Sequence, residues 1–151
     1  MSIADFGLRI AEEPAFQNSQ SAIRDPRSNM GFTDTLAGIA NRIEGCAAVV
    51  ILGIDGIPIE RHVHDLDPAL DIDTVATEFT TLVRRSMRTA SDTELGDMRE
   101  MVFATDSMSF LLRPITSEYF LLLALNHGGN VGRARFELRK AQLAMEPEFA
   151  I

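Results

Sequence analysis

One cysteine, one tyrosine and no tryptophan in 151 residues close several routes at the outset. A single cysteine, Cys46, makes no intramolecular disulfide and no cysteine-based zinc site. It stands in the apolar run CAAVVIL, where it reads as a small buried residue and not as a reactive thiol. No apolar run approaches the ~20 residues of a membrane span. The stretch MSIADFGLRIAEEPAF has no basic start leading into an apolar core, so no signal peptide is expected, and the expected compartment is the cytoplasm. Positive charge is also short: 14 Lys and Arg face 22 Asp and Glu, a net charge of −8. Such a chain repels phosphate at long range, so neither nucleic acid nor membrane insertion is expected. There is no GxxxxGK run closed by Ser or Thr, no GxGxxG, no GxSxG and no HExxH. Nothing positive therefore argues for an enzyme, and no cofactor, metal or catalytic residue is expected.

What is present is a core. Apolar residues make up 46% of the chain, nine of them Phe, enough for one globular domain. Residues 1–31 stand apart: QNSQS and DPRSN carry little apolar periodicity, and the segment reads as a flexible tail. From Thr33 or Asp34, Leu36, Ile39, Ala40 and Ile43 recur at helical spacing up to Gly45. CAAVVIL then reads as a strand buried on both faces. Asp55-Gly56 is a hairpin signal. In the return strand Ile57, Ile59 and Val63 share one face, and Pro58 marks an edge or a bulge. A long helix follows over residues 74–90, opened by Asp73 or Thr74, with Val75, Ala76, Phe79, Leu82, Val83 and Met87 as its stripe. Acids near its start and Arg84, Arg85 and Arg88 near its end suit the helix dipole. Residues 98–105, MSFLLRP and EYFLLLALN read as three strands. A last helix, with Val131, Ala134, Leu138, Ala141 and Met145 on one face, stops at Pro147. The domain is thus placed at residues 32–147, with 148–151 as its end. The order predicts an α+β fold: a five-stranded antiparallel sheet with helices on both faces.

Three clusters invite chemistry and lack company. Glu60, His62 and His64 alternate on one strand, His62 and His64 ~7 Å apart, but a transition metal usually takes three or four protein ligands. Asp65, Asp67, Asp71 and Asp73 lack the turn glycine and closing Glu of a calcium loop. Gly128-Gly129-Asn130 reads as a strand-to-helix turn and not a phosphate cradle. The arginines Arg84, Arg85 and Arg88 are a different matter, since three in five residues on an acidic chain suit an acidic partner. Thr77, Thr80 and Thr81 offer small side chains where another helix can approach.

Taken in order, LAGIANRIEGCAAVVILGIDGIPIE, EFTTLVRRSMRTASDTELGDMREMVF, FLLRPITSEYFLLLAL and NVGRARFELRKAQ, with an NxGxxR run at Asn130, Gly132 and Arg135, resemble the roadblock/dynein light chain family. Within that family it looks like the small stand-alone bacterial, MglB-like type. The likeness departs at HVHDLDPALDID and at HGG. It implies one long helix on one face of the sheet and two on the other. It also implies pairing as a homodimer, or with a second roadblock chain, through the third strand and the long helix. In this chain that means Met98, Glu100, Met101, Val102 and Phe103, with Thr77 and Arg84. It further implies a small Ras-like GTPase as partner, whose GTP hydrolysis the protein modulates. The exposed side of the long helix, Glu78, Thr81, Arg85 and Arg88, is the expected contact. Two other readings stay open: a passive dimeric adaptor, and a small-molecule sensory domain, which would need a polar pocket.

Overall fold

The computed structural model describes residues 26–150, with side chains from residue 31 onward. The chain divides into two units, Met1–Gly31 and Phe32–Ile151, and the five described strands lie in the second. Of the tail expected over residues 1–31, residues 1–25 lie outside the described residues and residues 26–31 are helical. In chain order the elements are α1 (Pro26–Arg42), β1 (Cys46–Gly53), β2 (Pro58–Val63), α2 (Ile72–Asp92), β3 (Met101–Ala104), β4 (Met108–Pro114), β5 (Tyr119–Asn126) and α3 (Val131–Phe149). The five strands form one antiparallel sheet in the order β2-β1-β5-β4-β3.

The two apolar runs became the centre of the sheet. β1 is buried along its whole length and β5 nearly so. Alternate residues feed two cores. Val49, Ile51, Leu121 and Leu123 meet Leu36 and Ile39 of α1, Ile43 just beyond it, and Leu138, Ala141 and Met145 of α3. Val50, Leu52, Leu122 and Phe120 meet Ala76, Phe79 and Val83 of α2. One long helix therefore covers one face and two helices the other. Gly45 (φ +87°) lets two loops touch, because a Cβ there would fall 2.5 Å from the Gly129 Cα.

Several boundaries differ from the expectation. α1 begins at Pro26 and not at Thr33 or Asp34, because proline suits the first helical position, where its missing N–H costs nothing. α2 begins at Ile72, capped by Asp71, whose carboxylate accepts from Asp73 N and Thr74 Oγ1. At its other end the helix runs past the arginines to Asp92, so its last turn holds no basic residue. The three arginines thus do little for the dipole, whose effect fades within one turn. α3 runs through Pro147 to Phe149. The Phe149 ring stacks on Phe32 at 5.1 Å and meets Tyr119 at 4.6 Å, and this packing holds a last turn that proline alone would end. Val131, expected on the apolar face of α3, is exposed.

β2 is an edge strand with a bulge. Leu52 pairs with Pro58 and Ile51 with Glu60, leaving Ile59 as the extra residue. The bulge breaks the expected alternation: Ile59 packs on the core, while Ile57 and Val63 are exposed.

Candidate functional site

The outer face of α2 and the β3 edge, the last strand of the sheet among the described residues, form one surface region. Along α2, Ile72, Ala76, Phe79, Thr80 and Val83 point inward. Glu78, Thr81, Arg85 and Arg88 are exposed, as are Thr77 and Arg84. Two expectations fail. Leu82 is not in the core but 41% exposed, and Thr80 is not a surface residue but 2% exposed, its hydroxyl donating to the Ala76 carbonyl. Inside the helix a hydroxyl can satisfy itself on the preceding turn, so threonine tolerates burial there.

The two flanks of α2 face different neighbours. Arg84 donates to the Ile54 carbonyl at 3.2 Å, Arg61 pairs with Asp73 at 3.2 Å, and Thr77 and Thr80 approach Gly56. That flank adjoins the β1–β2 turn. On the opposite flank Ser86 donates to Met101 Sδ and the Phe79 ring meets Phe103 edge-on at 5.1 Å. Thr77 and Arg84, grouped with the third strand in the sequence reading, thus lie across the helix from β3. By helical spacing the flank beside β3 carries Val75, Leu82 and Ser86.

β3 spans Met101–Ala104 and is shorter than the expected 98–105. Met98 and Glu100 precede it. Met98 packs against the α2-side core. Glu100 is clasped by Arg135 at 2.7 Å, with Arg113 at 3.9 Å, and so turns toward α3 instead of an incoming strand. β3 pairs with β4 alone among the described residues. Val102 is 47% and Phe103 43% exposed, and the strand Met-Val-Phe-Ala carries no charge. An apolar edge with unpaired backbone groups is a template for another strand.

The other clusters are occupied locally. Glu60 accepts from the Thr33 hydroxyl at 2.7 Å, and the His62 and His64 rings lie side by side at 5.9 Å. Asp67 accepts from Ala69 N, Asp71 caps α2 and Asp73 pairs with Arg61. The Thr74 hydroxyl, then the Asp73 N–H, hold the Asp71 carboxyl below the usual carboxylate range. Among the described residues no three His, Cys, Asp or Glu are grouped to hold a metal. Asn130 caps α3, accepting from Arg133 N at 2.9 Å. Cys46 is buried, and burial pushes its thiol up to about 11. No described helix is long and apolar enough to cross a membrane.

Sequence reasoning missed Glu137. Its side chain is 0% exposed, yet Arg42 (2.8 Å), Arg133 (3.1 Å) and Lys140 (3.4 Å) surround it. The i,i+4 and i,i+3 spacings to Arg133 and Lys140 were legible. Arg42, which ties α1 to α3, was not.

No protein-family model and no curated protein matches the chain in sequence. Solved structures do match. A Roadblock/LC7 domain from Streptomyces avermitilis aligns with a TM-score of 0.66 at 20% identity, over 76% of this chain and 93% of that one. The fold is that of the roadblock/LC7 domain. The gliding protein MglB from Thermus thermophilus shares it with a TM-score of 0.73 at 14% identity, over 85% of this chain and 96% of its own. MglC from Myxococcus xanthus shares it with a TM-score of 0.57 at 28% identity, over 80% of this chain and all of its own. MglB has also been seen in a tetrameric arrangement.

Proposed function

We propose that this protein is a dimeric regulatory and scaffolding subunit of the cytoplasm, not itself an enzyme. Two copies, or one copy and a second roadblock chain, join along β3, with Val102 and Phe103 at the seam and the Leu82 flank of α2 alongside. The outward face of α2, Glu78, Thr81, Arg85 and Arg88, then receives a small Ras-like GTPase and modulates its GTP hydrolysis. The observation that carries the reading is the uncharged, half-exposed β3 edge beside an exposed Leu82. Apolar side chains at a bare edge are stable when covered. The arginines support the second half: they serve neither the helix dipole nor, for Arg85 and Arg88, any ion pair among the described residues. Exposed guanidiniums without a partner suit acidic or phosphate-bearing partners.

The test is single-turnover GTP hydrolysis by a candidate small GTPase, with and without this protein and its Arg85→Ala/Arg88→Ala variant. A rate change that the variant abolishes supports the reading. Binding of the GTPase with no change in rate favours the passive adaptor. Absence of binding to any small GTPase rejects the partner assignment.

A further inference from the structure

The ends of α2, β4 and α3, with the segment before β3, enclose a cleft of about 650 Å³, within the size range of small-molecule sites. Its walls are of two kinds. Met87, Ile115 and Leu143 supply apolar surface, and Arg99, Arg113 and Arg139 supply three guanidiniums from three separate elements. This cleft of mixed apolar and charged lining lies away from His62 and His64 and from Gly128-Gly129.

Arg113 is the innermost of the three, its side chain only 13% exposed. Its Nε donates to Gln142 Oε1 at 3.3 Å. The closest carboxylate, Glu100, stands 3.9 Å away and is already held by Arg135 at 2.7 Å. Arg99 and Arg139 have no carboxylate partner among the described residues. Burial, and the positive charges of Arg139, Arg99 and Arg135, press the Arg113 pKa downward against the pull of Glu100. Two acids also line the cleft, Asp97 and Glu146, the second accepting from Gln142 Nε2 at 3.1 Å. Three positive charges against two negative leave the cleft cationic on a chain whose net charge is −8. The three guanidiniums outnumber the two carboxylates of the lining, and Glu100 is shared with Arg135, so an oxyanion between them offsets the repulsion that is left.

We propose that this cleft binds a small amphipathic oxyanion, with a phosphate or carboxylate head on Arg99, Arg113 and Arg139 and an apolar body against Met87, Ile115 and Leu143. The head takes the planar forks of the guanidiniums, and the body keeps water from them. This site is independent of the GTPase reading, because none of its contacts lies on the outward face of α2.

The test is an NMR titration of the full chain, following arginine Nε–H and methionine methyl signals. The probes are phenyl phosphate, benzoate and inorganic phosphate. Saturable shifts confined to the cleft are expected with phenyl phosphate or benzoate, and whichever binds tighter identifies the head. Inorganic phosphate, lacking the apolar body, binds more weakly. Arg139→Gln, at an exposed position, weakens the better probe at least about tenfold, the effect of losing a charge-assisted hydrogen bond. Leu143→Ser weakens that probe but not inorganic phosphate. Absence of saturable shifts with both organic probes at millimolar concentration overturns the proposal. So does binding that neither substitution changes.

Discussion

The sheet has two edges, and they are built on opposite plans. β2 carries Pro58, a bulge at Ile59, and Glu60, Arg61 and His62 in succession. Proline removes a donor, the bulge bends the edge, and charges make it costly to cover. Val63 at its end is 50% exposed, but it follows an edge that already refuses a partner. β3 has no such device: four apolar residues, uninterrupted pairing with β4, and a neighbouring helix flank that exposes Leu82. Among the described residues one edge carries these devices and the other pairs with β4 alone. Edge chemistry, more than exposed apolar area, is what marks β3 and not β2 as the proposed interface.

The comparison breaks most visibly at Phe103. Phe103→Asp places a charge at the proposed seam and should weaken pairing by at least about 30-fold, as loss of an interface anchor does. Light scattering should then report single chains, with circular dichroism unchanged. A change in the core behind the edges should move stability and leave mass alone. Glu137→Ala strands three cations around an empty site. It should cost roughly 2 kcal/mol in urea denaturation, less than the ~3–5 of a fully buried pair, because the cations keep about half their contact with water. The same residue predicts a pH dependence. Burial works to raise the Glu137 pKa, but the hydrogen bond and charge of Arg42, with Lys140, outweigh it and hold the carboxyl below its ordinary value. Its contribution is therefore full above the unfolded pKa of about 4.3 and is lost as pH falls through the folded one. Glu137→Gln should flatten the acid side of the stability profile.

Leu82→Ala should weaken pairing several-fold, for about 1 kcal/mol of lost apolar contact. Val63→Lys, on the β2 edge, should leave mass unchanged and stability within about 0.5 kcal/mol. A drop in mass with Val63→Lys would erase the distinction between the two edges.

The fold was legible because its central strands are continuous apolar runs and its hairpin carries Asp55-Gly56. Those signals are local. What escaped depends on contacts distant in sequence. Phe32 and Tyr119 extend α3 past Pro147. Arg135 turns Glu100 away from the strand it was assigned to. Helical spacing placed Glu78, Thr81, Arg85 and Arg88 on one outward face of α2. It could not say that Thr77 and Arg84 would adjoin the β1–β2 turn, since spacing orders residues around a helix without showing what stands beside each flank. The arginine cleft joins residues 87–146, and no spacing rule would have gathered them.

The most direct measurement is the solution mass of the full chain by light scattering across a concentration series. Pairing along the β3 edge predicts about twice the 16.6 kDa chain mass, falling to one chain with Phe103→Asp. A single-chain mass for the wild type at every concentration would contradict it.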